Sequence, residues 1–148
     1  MPLASIQLIY SRLGFSFVVE TFELESASFR LWGTHADLTR ASASLPAGSY
    51  TTLRTYGHER ILRLEQHLRR LEQSLAIPVP LDEVAARGAI ASALQRTGHP
   101  ESRLRLTFAP PRLFVSVERF APLPEARYRD GVRCVTVSAQ RDNPRAKH

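Results

Sequence analysis

A lysine near one end of this sequence is the residue best suited to covalent chemistry. Of the 20 lysines and arginines together, only Lys147 is a lysine. An arginine stays protonated, whereas a lysine with a depressed pKa loses its proton, and its amine can then attack a carbonyl carbon. A lysine kept in such an arginine-rich chain therefore predicts a task that arginine cannot perform.

A change in hydrophobic period places two further cations, His67 and Arg70, beside a buried stripe. Residues 50–56 alternate as in a strand, and a turn at residues 57–58 leads into a second short run over residues 60–64, which predicts a hairpin. Leucines then recur at helical spacing, at Leu64, Leu68, Leu71 and Leu75. His67 and Arg70 lie on the neighbouring stripe with Ser74. This pattern predicts a helix that carries cations at the edge of a core.

The remaining segments predict an α+β fold, a mostly antiparallel sheet with two main helices packed on one face. Strands are expected over residues 15–24, 29–32, 103–108, 113–117 and 132–138. The main helices are expected over residues 64–76 and 81–97, with Gly98 ending the second, and a short helix over 36–44 has Thr34 as its candidate N-cap. We expect a single domain over residues 15–148, after a poorly defined segment over residues 1–14.

The bulk composition limits the classes of partner. A net charge of +6 and a pI near 10.4 raise the alternative of a basic nucleic-acid-binding module. The arginines are spread along the chain without a basic block, so we do not expect a nucleic-acid partner. No apolar run is long enough for a membrane span, and no signal peptide is expected at the start. Cys134 is expected to be an inert core thiol of a protein in the reducing cytoplasm, and the spacing of histidines and cysteine predicts no metal site.

Two motifs in order carry a resemblance to a known family. LPAGSYTTLRTYG (residues 45–57) followed by LRLEQHLRRLEQSL (residues 62–75) resembles the N-terminal domain of the class IV aminotransferases. These are the fold-type IV pyridoxal-phosphate enzymes, which include branched-chain and D-amino-acid aminotransferases and aminodeoxychorismate lyase. The H-x-x-R-L helix motif and the late lysine match in order and spacing. The resemblance covers roughly residue 15 to the end of the sequence.

The resemblance implies roles for particular residues. Arg70 would bind the phosphate of pyridoxal 5′-phosphate, and His67 would orient Arg70. Lys147 would form the Schiff base with that cofactor and act as the catalytic residue. Tyr50 would lie near the substrate, and Arg54 and Arg105 would meet a substrate carboxylate.

The function that follows is that of an N-terminal domain, or fragment, of a class IV aminotransferase. Such an enzyme acts on an amino acid or related amine together with a keto acid, and we expect a homodimer. Family members continue into a second domain after the lysine, so we expect the 148 residues to be half of the catalytic unit. Two alternatives stay open within the family: a lyase similar to aminodeoxychorismate lyase, and a non-catalytic dimerising remnant.

Overall fold

The structure is a computed structural model that describes residues 18–138. Lys147, the segment 1–14 and the start of the first predicted strand lie outside the described residues. Six strands and four helices follow one another in the described part of the chain: β1 (Val19–Glu25), β2 (Ser28–His35), α1 (Leu38–Ala43), β3 (Ser49–Tyr56), β4 (Arg60–Ile61), α2 (Leu64–Gln73), α3 (Glu83–Thr97), β5 (Ser102–Ala109), β6 (Arg112–Arg119) and α4 (Glu125–Asp130).

The strands form one antiparallel sheet in the order β2-β1-β6-β5-β3-β4. β5 and β6 pair from Ser102↔Arg119 to Ala109↔Arg112, which confirms the predicted second hairpin. Because side chains alternate along each strand, the register assigns every residue to one of two faces. The α+β prediction is confirmed.

The two main helices, α2 and α3, cover the same face of the sheet, as predicted. Leu68 and Leu71 of α2 share one apolar core with Leu104 and Leu106 of β5. The α3 face in that core is built mostly of small residues: Ala86, Ala89, Ile90, Ala93 and Leu94. Small side chains let a helix approach the sheet closely. We call this side of the sheet the helix face.

The two shortest helices, α1 and α4, were predicted less accurately from the sequence than α2 and α3. α1 contributes Leu38 and Ala41 to a second apolar cluster with Val19, whose register places it opposite the helix face. Its N-cap is Asp37, whose carboxylate accepts the backbone N–H of Arg40 at 2.7 Å. The prediction of Thr34 as the cap was wrong, because Thr34 belongs to β2. Helix α4, fully exposed, was not predicted.

The strand predicted over residues 132–138 is not formed. These residues are irregular and exposed, and the thiol of Cys134 is exposed rather than in the core. The segment is rich in β-branched residues, but no described strand pairs with it. Such residues alone do not make a strand, because the backbone N–H and C=O groups need a neighbour to bond.

Candidate functional site

Helix α2 is held on β3 at two points by strand side chains. The buried hydroxyl of Ser49 donates to the carbonyl of Leu71 at 2.6 Å, and the hydroxyl of Thr51 hydrogen-bonds Nδ1 of His67 at 2.8 Å. Two residues along a strand advance about 7 Å, and four residues along a helix advance about 6 Å. The two spacings match, so both bonds form at once with the helix running antiparallel to the strand. They fix the side of α2 on which Arg70 lies.

A cavity of about 320 Å³ lies between α2 and the β3–β4 hairpin. The residues that line it include four with basic side chains, Arg54, Arg63, His67 and Arg70, and none with a carboxylate. We call it the α2 cavity. Its other lining residues are Leu53, Tyr56, Leu62 and Gln66. These basic side chains suit an anion such as a phosphate group, because guanidinium groups bind phosphate through charge-assisted hydrogen bonds.

Arg69 and Arg70 differ although they are neighbours in sequence. Both side chains are exposed, but Arg69 pairs with Glu65 at 2.5 Å, one helical turn away. Arg70 lines the α2 cavity and forms no ion pair with any residue between 18 and 138. Within this pair, Arg70 is therefore the residue placed to receive an anionic ligand.

The guanidinium group of Arg54 is held by partners within the fold. Its Nη2 lies 2.7 Å from the carboxylate of Glu101. Its guanidinium also lies 4.3 Å from the ring centre of Tyr56 and 3.8 Å from that of Phe120. An arginine held by an acid and two aromatic rings makes a rigid wall for the α2 cavity.

A second cavity, of about 290 Å³, lies on the other side of the sheet beneath α1. Tyr50 and Arg105 line it together with Thr107, Thr39, Ser42 and the loop 45–48. We call it the α1 cavity. The guanidinium of Arg105 lies 5.0 Å from the ring centre of Tyr50. Its Nη1 donates to the hydroxyl of Ser42 at 2.7 Å and to the carbonyl of Leu38 at 3.2 Å, and its Nε to the hydroxyl of Thr52 at 3.3 Å.

The loop wall of the α1 cavity depends on Gly48. A Cβ placed on Gly48 would lie 2.3 Å from the carbonyl oxygen of Phe108. No side chain fits at that distance, so only glycine lets the loop approach the end of β5 so closely. The backbone of β5 therefore fixes the position of residues 45–48.

The structure divides the predicted site residues between the two cavities. Arg70 and Arg54 line the α2 cavity with His67, and Tyr50 and Arg105 line the α1 cavity. The cavities share strand β3 but no lining residue. The docking role of Ser49 and Thr51 was not predicted from the sequence. The signal that could have found it is the pair of hydroxyl residues on the side of β3 where the core lies.

Two groups outside the cavities, Glu20 and His99, have displaced pKa values. Burial raises the pKa of Glu20 above its usual value. Burial, followed by the positive charge of Arg119, lowers the pKa of His99. Within residues 18–138 no three His, Cys, Asp or Glu side chains form a metal-ligand cluster, and no helix there has the length and hydropathy of a membrane span.

Comparison with known proteins identifies the family. The chain folds as an α+β domain with two cation-lined cavities, and the family model described as amino-transferase class IV matches residues 48–148, more than half of the 148 residues. The chain belongs to the class IV aminotransferase family. No curated protein sequence matches it.

A solved structure supports the fold assignment. It is a protein of Thermotoga maritima assigned as a branched-chain amino acid aminotransferase, and it superposes with a TM-score of 0.51 at 18% sequence identity. The match covers 70% of this chain but only 39% of that protein. At this identity the likeness concerns the fold, and the chain spans less than half of the length of the protein it resembles.

Proposed function

We propose that this chain is the N-terminal domain of a pyridoxal-phosphate-dependent aminotransferase that acts on an amino acid or related amine. The observation that carries the proposal is the family match over residues 48–148, which includes Arg70 in the α2 cavity. A second domain would complete the catalytic unit, and we expect the enzyme to be a homodimer.

Arg70 would bind the phosphate group of the cofactor. Its guanidinium offers paired N–H donors in a plane, which suits a phosphate dianion. Arg63 and His67 add positive charge or hydrogen-bond donors beside it in the same cavity. The hydrogen bond from Thr51 to Nδ1 fixes the imidazole ring of His67 on β3, about one helical turn from Arg70. This arrangement supports the role of His67 as a positioning residue for Arg70.

Lys147 would hold the cofactor through a covalent bond from its amine to the aldehyde carbon. When bound, pyridoxal phosphate supplies the electron-withdrawing system that makes the α-proton of an amino acid removable. The amine of Lys147, when not bonded to the cofactor, would act as the general base and acid that moves a proton at the substrate α-carbon.

Because Arg105 and Tyr50 lie across the sheet from Arg70, they would form part of the substrate site of the other subunit in the expected homodimer. They share the α1 cavity, where a guanidinium stacked near an aromatic ring suits a carboxylate beside an apolar group. Arg54 is bonded to Glu101 instead, so we assign the substrate carboxylate to Arg105 and a wall of the α2 cavity to Arg54.

The proposal is tested with the full-length protein, pyridoxal phosphate and a panel of amino donors, with and without a keto acid acceptor. We expect amino-group transfer that requires the acceptor, detected as the new amino acid by mass spectrometry. Product release without an acceptor would identify a lyase instead. A full-length protein that binds no cofactor would contradict the proposal and support a non-catalytic remnant.

A further inference from the structure

Arg105 differs in its ion pairing from the other arginines of β3, β5 and β6 on its sheet face. The register places Arg54, Arg103, Arg105 and Arg112 on the side opposite the helix face. Three of them form ion pairs: Arg54 with Glu101, Arg103 with Glu118, and Arg112 with Glu23. Among residues 18–138, no carboxylate lies within ion-pair distance of Arg105. A half-buried guanidinium held only by neutral groups is ready to accept an anion.

The hydrogen bonds of Arg105 leave its Nη2 nitrogen available to a ligand. Its neutral partners occupy Nε and Nη1. Within the described residues Nη2 donates to no group, so two of the five guanidinium N–H bonds remain for a ligand. A ligand bound there meets one arginine nitrogen, and a second donor is needed to fix its orientation.

Thr107 offers that second donor. It is two residues from Arg105 on the same face of β5, lies opposite Tyr50 in the register, and lines the same cavity. Thr107 is 6% exposed, and its hydroxyl has no hydrogen-bond partner among the described residues. Buried hydroxyls nearly always have a partner in a folded protein. Threonine χ1 rotamers exchange the hydroxyl and methyl positions, so a rotation can turn the hydroxyl toward the cavity that Thr107 lines.

We propose that Thr107 and Nη2 of Arg105 together bind the two oxygens of a carboxylate, and that Thr107 is the residue that selects this group. The inference rests on the proposed function only in identifying that carboxylate as the substrate's. A carboxylate fits the pair because it is planar and accepts two parallel hydrogen bonds. The basic residues that line the α2 cavity with Arg70 carry a larger positive charge, which suits the phosphate.

The test measures binding of propionate and of its neutral analogue propionamide to the full-length protein without cofactor, by ligand-observed NMR. Thr107→Val keeps the side-chain shape and removes the hydroxyl. It should weaken propionate binding by about 10- to 100-fold, the range for a hydrogen bond to a charged group. Propionamide binding should change little, Thr107→Ser should restore propionate binding, and Arg105→Gln should abolish it.

Thermal unfolding separates this role from a structural one. Since the hydroxyl has no partner among residues 18–138, Thr107→Val should unfold at the wild-type temperature or above it. Unchanged propionate binding in Thr107→Val, or a marked loss of stability, would overturn the inference. Carboxylate binding is measured without cofactor, so a failure of amino-group transfer would contradict the proposed function and leave this result standing.

Discussion

Residues of the same type have different tasks in this protein, and their partners decide which. Arg69 and Arg70 are adjacent, yet one pairs with Glu65 in solvent and the other lines the α2 cavity. The hydrophobic stripe of the helix allowed this difference to be predicted. Arg54 and Arg105 were predicted alike from sequence because both lie on strands. Arg54 pairs with Glu101, and Arg105 bonds to helix α1. Both partners are distant in sequence from the arginine that they hold.

The pair Arg69 and Arg70 gives a matched mutational test. Arg70→Ala in the full-length protein should weaken pyridoxal phosphate binding by about 2–4 kcal/mol, the range for removing one partner of a charge pair that becomes buried. Arg69→Ala should have little effect, because it removes only an exposed i,i+4 ion pair. Titration of the cofactor followed by visible absorbance measures both. Equal losses in the two variants would show that the assignment of the helix face is wrong.

The lowered pKa of His99 predicts how the free energy of unfolding depends on pH. Its pKa in the folded chain is below the usual 6.5 because of burial and Arg119. As pH falls through 6.5, the unfolded chain takes up the proton more readily, so the stability of the folded state decreases. The decrease ends once the lower folded pKa is passed, and above about pH 7.5 the group contributes nothing.

The measurement for His99 is urea unfolding of the wild type and of His99→Gln between about pH 4 and pH 8. The other histidines are present in both proteins, so their contributions cancel in the difference. The stability of the wild type relative to His99→Gln should fall as the pH drops below 6.5. A difference that stays constant with pH would contradict the lowered pKa.

At the scale of elements, the docking of α2 on β3 explains why the strand and helix of the family motif occur together. Ser49 and Thr51 alternate with the outward-facing Tyr50, so one strand supports the helix and lines the α1 cavity at once. The strand, the turn and the helix were predicted from their periods. The two hydrogen bonds between them were not, because periodicity does not encode side-chain pairs across elements.

Thr51 is the residue that tests this docking. Thr51→Val keeps the shape but leaves Nδ1 of His67 without its bond to the strand, and it should cost about 1–3 kcal/mol of unfolding free energy. Thr51→Ser retains the hydroxyl and should recover most of it. Urea denaturation of the three proteins gives the comparison. A stability of Thr51→Val equal to that of the wild type would show that the bond does not hold α2.

The elements that sequence analysis placed well are those with long, regular patterns. The two main helices and the β5–β6 hairpin were predicted within a few residues. Residues 132–138 have the β-branched composition of a strand, but strand formation depends on a neighbour that local composition does not specify. Helix α4 is short and exposed, so it lacks the apolar stripe from which helices are predicted.

At the scale of the whole molecule, the sheet lies between Arg70 on the helix face and Arg105 on the opposite face. The α2 cavity holds the cluster around Arg70, and the α1 cavity holds Arg105 with Tyr50. The family resemblance predicted these residues as parts of one active site. Their division between two cavities depends on the strand register and on α1, which the sequence did not reveal.

The covalent role of Lys147 is the central claim of the proposed function. Borohydride reduction of the full-length protein with pyridoxal phosphate, followed by peptide mass spectrometry, tests it most directly. Reduction should fix the cofactor on the peptide that contains Lys147, and Lys147→Arg should lose both the label and amino-group transfer, because arginine lacks a nucleophilic amine. A cofactor fixed at another residue, or a Lys147→Arg enzyme with the wild-type rate of transfer, would contradict the account.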